Sequence, residues 1–194
     1  MNAVVFASGS GTNFEALMEA QRDGLLNVDI KALFCDKPGV KVFERAERWN
    51  IPSTCIQLKE CKDKADYEEK ILEWIKPFNP DMIILSGYMK IVSKTLLNAY
   101  EGRIVNLHPA LLPNFPGAHA IADAFNAGVD TTGVTVHFID SGVDTGPVIL
   151  QSEVKVDPAW SLDELESAVH AEEYRTFYKG VNKAAEILSR NENL

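Results

Sequence analysis

Short runs of unbroken apolar residues alternate along this chain with longer amphipathic stretches, and that alternation leaves few folds open. Ala3–Ala7 (AVVFA) reads as a buried strand and the stretch from about 13 to 21 as a helix. Val28–Phe34 and Val42–Trp49 repeat the pair, and Ser53–Ile56 is a weaker strand. From about 66 to 76, Tyr67, Ile71, Trp74 and Ile75 fall on one helical face. Met82–Leu85 and Ile104–Leu107 are further apolar strands. Strands without in–out alternation are covered on both sides, which predicts a doubly wound, mostly parallel Rossmann-like α/β sheet with helices on both faces. The pattern changes after Pro113. In Gly133–Ile139, Val134, Val136 and Phe138 share one face and Thr135 and His137 the other. Val148–Val156 reads as a last strand, giving a C-terminal antiparallel region. Ser161 and Glu164 then form a capping box that opens a long C-terminal helix. No internal repeat, low-complexity segment or linker divides the chain, so one domain over 1–194 is expected.

Two turns in this frame carry chemistry. Ser8-Gly9-Ser10-Gly11-Thr12-Asn13 joins the first strand to the first helix, where free N–H groups and the helix dipole favour an anion. No Gly-Lys-Ser/Thr follows, so it is not a Walker loop. As a dinucleotide fingerprint it is defective, because Phe14 stands at the third glycine position. A phosphate monoester suits so short a cradle; a tight strand-to-helix connection with no ligand is the plain alternative. Asp36, at the end of the second strand, keeps a dinucleotide-binding protein without catalysis as a rival.

The second is 104-IVNLHPALLPNFPG-117. In an extended chain Asn106 and His108 share a face, and Pro109 stops the strand. Further on, the loop 140-DSGVDTGPV-148 carries Asp140 and Asp144. An amide, an imidazole and a carboxylate together suit acyl transfer. The first two stabilise an oxyanion, and the third orients and charges the imidazole. No serine or cysteine nucleophile presents itself, which favours direct attack by a substrate amine. A structural histidine and a turn-forming aspartate are the plain alternatives.

The bulk properties exclude other classes. A net charge of −9 argues against a nucleic-acid partner, since phosphate backbones need dense Lys/Arg surfaces. Cys35, Cys55 and Cys61 are odd in number and lack a C-x-x-C pair, which argues against a disulfide framework or a zinc site. No run approaches the length of a membrane span, and the N-terminus lacks a basic n-region. A cytoplasmic protein without membrane partner or metal is expected.

The segments NLHPALLPNFPGAHA and TGVTVHFIDSGVDTGPVILQ, with the SGSGTN turn, resemble the glycinamide ribonucleotide formyltransferases of purine synthesis. The likeness runs from that turn to Glu172-Glu173. N-x-H-P-x-L-L-P is shared by the wider formyltransferase superfamily, and SGSGTN narrows the choice. The resemblance implies transfer of a formyl group from 10-formyltetrahydrofolate to the amine of a phosphoribosylglycinamide. It implies a catalytic trio of Asn106, His108 and Asp144, and ribonucleotide contacts at Gly11, Thr12, Asn13 and Glu173. It implies a folate pocket from Lys64, Met89, Lys90, Ile91, Val92 and Asn106 and from Asp140, Ser141, Gly142, Val143 and Asp144. Residues from about 1 to 100 would then form a phosphate-binding half, and those from about 101 to 194 a catalytic and folate-loop half. Monomer and homodimer are both left open.

Two departures stand out. Ala110 replaces the usual Ser after His-Pro, and Lys64 replaces an Arg common in relatives, exchanging a bidentate fork for a point charge. His137 lines the ribonucleotide site or sits at the core edge. His119 opens the helix after Phe-Pro-Gly, and His170 neighbours Glu173 or is surface packing. Asp163, Glu164 and Glu166 read as a solvated first turn. The rival within the same chemistry is a deformylase that uses water as acceptor. Such relatives usually carry an added N-terminal regulatory domain, whereas this chain starts at its first strand. Initiator-tRNA formylation would call for a further C-terminal domain and a basic surface.

Overall fold

The structure, a computed structural model, describes residues 1–191. Strands β1 (Asn2–Ala7), β2 (Asp29–Cys35), β3 (Ser53–Cys55), β4 (Met82–Leu85), β5 (Ile104–His108), β6 (Thr131–Phe138) and β7 (Val148–Lys155) form one seven-stranded sheet in the order β3-β2-β1-β4-β5-β6-β7. The first five are parallel. β6 runs antiparallel to β5, and β7 antiparallel to β6. Strand order reverses between β1 and β4, which places a topological switch point, and a crevice for a ligand, at their carboxyl ends.

Helices α1 (Thr12–Arg22), α2 (Val42–Arg48), α3 (Lys64–Ile75), α4 (Lys94–Ala99), α5 (Ala120–Asn126) and α6 (Leu162–Asn191) cover the sheet. On one face, Phe14 and Leu17 of α1, Val42 of α2, and Val169, Phe177 and Val181 of α6 pack against Val5, Ile84, Val105 and Val136. On the other, Tyr67, Ile71 and Ile75 of α3 and Leu96 of α4 pack against Val4, Phe6, Phe34 and Ile83. Unbroken apolar strands are thus sandwiched between helices, as the sequence pattern demands. Trp74, half-buried, packs against the same cluster and on Phe78, with ring centroids 5.1 Å apart.

Boundaries shift where tertiary pairing adds a residue. β5 extends to His108 because its backbone pairs in register with Thr135 of β6. α1 begins at Thr12 because Gly11 caps it in the left-handed region, with φ of 73°. A Cβ at Gly11 would also stand 2.4 Å from Val42 Cγ2, so conformation and packing both require glycine there. The capping box forms in both directions: Ser161 N–H donates to Glu164 Oε2 at 2.7 Å, and Glu164 N–H to Ser161 Oγ at 3.3 Å. Among the described residues no helix is long and apolar enough to cross a membrane.

Candidate active site

A cleft of about 750 Å³ opens at the carboxyl ends of β1, β4 and β5. Such a volume suits small-molecule ligands. Its walls are the glycine turn 8–13, the end of β4 with the irregular segment 86–92, the end of β5, the loop 139–144, and His170 and Glu173 of α6. Gly11, Thr12, Asn13, Glu173, Met89, Lys90, Ile91, Val92, Asn106, His108, Asp140, Gly142, Val143 and Asp144 therefore line one cavity.

Ser141 and Lys64 lie outside that lining. Ser141 is an exposed loop residue. The Lys64 ammonium is drawn to its own helix, 3.4 Å from the buried Glu68 carboxylate and 4.9 Å from the Tyr67 ring centroid. An i,i+4 partner and an aromatic face engage the cation there. Lys64 and Ser141 are thus not among the residues that line the cleft.

Asn106 and His108 point to the sheet face opposite Leu107, which packs in the α6-side core. Directly across the antiparallel pair stand His137 and Thr135. His137 is fully buried. Its Nδ1–H donates to the Phe138 carbonyl at 2.9 Å, which leaves Nε2 to accept from Asn106 Nδ2 at 3.1 Å. Burial pushes the His137 pKa down and so keeps this ring neutral. A neutral acceptor fixes the Asn106 amide with nitrogen towards His137, leaving its second N–H available. His137 thus sits behind Asn106, at the core edge and outside the cleft lining.

His108 is 4% exposed. Its Nε2–H donates to the Phe115 carbonyl at 2.7 Å, and its Nδ1 lies 3.4 Å from Asp144 Oδ2. Asp144 has a φ of 54°, in the left-handed region that Asp tolerates better than most side chains. The backbone N–H of Gly117 donates to its Oδ2 at 2.8 Å, and its Oδ1 lies 3.7 Å from His137 Nε2. Thr135 secures the intervening loop, donating to Ala110 O at 2.6 Å and accepting from Leu112 N at 3.1 Å. Ala110 is completely buried, so the departure from serine leaves no hydroxyl there in need of a partner. His119 is exposed and is not among the residues that line the cleft.

At the glycine turn, Asn13 Nδ2 donates to Glu173 Oε2 at 3.0 Å, and His170 Nδ1 lies 2.8 Å from the same oxygen. The hydrogen bond to Glu173 pushes the His170 pKa up. Arg45 buttresses the turn from behind, donating Nε–H to Ser10 O at 2.8 Å and pairing with Glu15 at 3.1 Å. In the 140–144 loop, Asp140 Oδ1 accepts from Thr145 Oγ1 at 2.6 Å and from Gly142 N–H at 2.9 Å. These bonds, Thr145 first, hold the Asp140 carboxyl below the usual range. Among the described residues no group of three or more His, Cys, Asp or Glu could hold a metal ion.

Asp36 is not placed for a ribose. Its side chain is 1% exposed and lies 3.3 Å from the Lys90 ammonium. That removes the carboxylate on which the dinucleotide rival rests. The local sequence gave no hint of the backbone groups of Phe115 and Gly117, or of Arg45.

Residues 1–181 match the family described as formyl transferase. The chain belongs to that family. A phosphoribosylglycinamide formyltransferase of Bacillus subtilis (strain 168) is 40% identical over 188 residues, covering 97% of this chain and 96% of that protein. The formyltransferase of the same description from Escherichia coli (strain K12) is 32% identical over 177 residues, 91% of this chain and 84% of the other. The crystal structure of glycinamide ribonucleotide transformylase 1 from Geobacillus kaustophilus superposes with a TM-score of 0.91 at 47% identity, over 93% of this chain and 96% of that one. The mixed sheet and the long C-terminal helix are features of the formyl transferase fold, and enzymatic formyl transfer is what unites these relatives.

Proposed function

We propose that this enzyme transfers the formyl group of 10-formyltetrahydrofolate to the amine of 5'-phosphoribosylglycinamide, a step of purine biosynthesis. The observation that carries the reading is the convergence of Asn106, His108 and Asp144 between a phosphate-type turn and the 89–92 segment, within a single cleft. The cleft's free helix N-terminus, Asn13 and Glu173 suit a ribose phosphate. The exposed apolar side chains of Met89, Ile91 and Val143 at its other end suit a flat donor ring system.

The donor, when bound, supplies an activated formyl carbon for the substrate amine. Asn106 presents its spare amide N–H to the formyl oxygen as negative charge develops there. His108, protonated, contributes charge rather than a direct hydrogen bond, because its Nε2–H is given to Phe115 and its Nδ1 faces Asp144. Asp144 holds that positive charge in place. The amine's proton passes to the departing donor nitrogen. In this reading residues from about 1 to 100 of a single 1–194 domain bind the phosphate, and those from about 101 to 194 carry the chemistry. The enzyme works in the cytoplasm as a monomer or homodimer, with small molecules as its partners.

A formyl-transfer assay with and without the ribonucleotide tests the reading. Folate release that depends on the ribonucleotide supports it. Release to water alone would identify a deformylase, and no release in either case would leave a binding protein.

A further inference from the structure

The segment 86–92 has no helix or strand of its own, yet it forms one wall of the cleft. It is held instead by backbone and side-chain groups behind it. Ser86 N–H donates to Phe6 O at 2.8 Å, Met89 N–H donates to Ser8 Oγ at 2.9 Å, and the Tyr67 and Tyr88 hydroxyls are hydrogen-bonded at 2.9 Å. The remaining tether is electrostatic: Lys90 Nζ reaches back to Asp36 Oδ2 at 3.3 Å. Ser8 and Asp36 each follow one residue after the registered pair Ala7 and Cys35, so they stand side by side on the ends of β1 and β2.

Asp36 is costly where it is. Its Oδ1 is buried without a hydrogen-bond partner among the described residues, and a buried carboxylate with a single ionic contact contributes little to folding. Lys90 is also unlike a free lysine of the cleft. Its side chain is 31% exposed and its stem lines the wall, while its ammonium is turned inwards.

We infer that Asp36 is a positioning residue for the formyl donor: by holding Lys90 it fixes the backbone at residues 88–92 against which the donor's ring system binds. The inference rests on the formyl-donor reading of this cleft. Asp36 touches no substrate and acts through Lys90. Without the tether, residues 89–92 keep the Ser8 and Tyr67 anchors on their N-terminal side and Ser93, held by Glu68, on their C-terminal side, and the stretch between them loses its ionic hold on the end of β2. The donor wall then samples displaced positions, and a loss of pre-organisation of this kind is expressed in KM. At the phosphate turn, Ser8 is the point of contact with the donor wall, whereas Asn13 is held by Glu173 and Ser10 by Arg45, so the tether bears chiefly on the donor site.

The test is steady-state formyl transfer by full-length Asp36→Asn, Lys90→Met and the double variant, with both substrates titrated and thermal melting recorded for each. The expected result is a five- to tenfold rise in donor KM for either single variant, with the ribonucleotide KM and kcat within twofold of the parent. The double variant should be no worse than either single, because both remove one contact. The melting temperature of Asp36→Asn should stay close to the parent's, since Lys90 can turn to water, whereas Lys90→Met strands the buried Asp36 carboxylate and should melt lower, with the double variant recovering. A purely structural ion pair predicts unchanged donor KM in all three variants, with a lowered melting temperature in Asp36→Asn as well, and would overturn the inference. Additive effects, or equal rises in both KM values, would overturn it as well. If Asp36→Asn fails to fold, Asp36→Ser takes its place, because Lys90→Met also alters a side chain whose stem lines the donor wall. Absence of transfer by the parent enzyme would count against the formyl-donor reading rather than against the tether.

Discussion

Replacing Asp144 by asparagine isolates the charge from the shape of the site. The Asn side chain is isosteric, its amide oxygen can keep the hydrogen bond from Gly117, and asparagine accepts the left-handed backbone at φ of 54° as readily as aspartate. What is lost is a negative charge 3.4 Å from His108 Nδ1. Coulomb's law at that distance gives about 1 kcal/mol in a water-like dielectric and about 5 kcal/mol at an effective dielectric of about 20. The Asp144 side chain is 13% exposed and that of His108 4%, so the site lies towards the second limit, tempered by solvent at the cleft mouth. With each 1.36 kcal/mol worth about a tenfold change, the expected fall in kcat is roughly 100-fold, bracketed between about 10- and 4,000-fold. Both KM values should move by less than about threefold, because the charge matters chiefly as the oxyanion forms. Stopped assays at saturating donor and ribonucleotide, with thermal melting alongside, make the measurement. A variant that folds normally and turns over within threefold of the parent would refute the role of Asp144 as the holder of imidazolium charge.

Three further substitutions probe the surroundings. His137→Leu removes the acceptor that orients the Asn106 amide, at a cost of about 1–3 kcal/mol in the transition state, or about 10- to 100-fold in kcat; an unchanged kcat would show that Asn106 is oriented without it. His170 gains its proton in the folded state through Glu173, so its stabilising contribution is full below its ordinary value near 6.5 and fades as pH rises through the elevated one. Melting temperatures of the parent should therefore fall relative to those of His170→Gln as pH is raised from about 6 to 8.5, and parallel curves would contradict the assignment. Gly11→Ala combines a left-handed backbone with a Cβ only 2.4 Å from Val42 Cγ2 and should cost about 2–4 kcal/mol in urea unfolding while raising the ribonucleotide KM; a loss below about 1 kcal/mol would mean that the turn relaxes freely.

What the sequence made legible were features written in local periodicity. The shared face of Asn106 and His108, the alternation of Val134, Val136 and Phe138 with Thr135 and His137, and the Ser161–Glu164 box all need only neighbouring residues to be read. The features that escaped are built across the chain. α4 is six residues long, and Ser93 at its start caps nothing. Its first-turn donors are satisfied by the buried Glu68 of α3, which accepts from Ser93 N at 2.8 Å and Leu96 N at 3.0 Å. A helix capped by another helix leaves no local mark. The same carboxylate pairs with Lys64 of its own helix, a contact that a match by family likeness does not announce. The groups that hold His108 and Asp144 are the carbonyl of Phe115 and the N–H of Gly117, which every residue type possesses and no motif can announce.

The change from parallel to antiparallel pairing explains why the reacting groups meet at all. Had another βαβ crossover followed β5, a helix would have covered the face that carries Asn106 and His108, and that face would need apolar residues. β6 instead runs back along β5, setting His137 opposite Asn106 and ending beside the start of β5, where Ile139 N–H donates to Ile104 O. From there the loop must double back over the polar face for Asp144 to reach His108. Two backbone features permit it: the left-handed conformation of Asp144 and the packing of Gly146, where a Cβ would lie 1.8 Å from Phe138 O. Any side chain at Gly146 would push the loop off β6 and carry the carboxylate away from the imidazole. The glycine of the D-T-G-P run is thus a condition of the chemistry although it touches none of the reacting groups, and the turn and the trio stand or fall together.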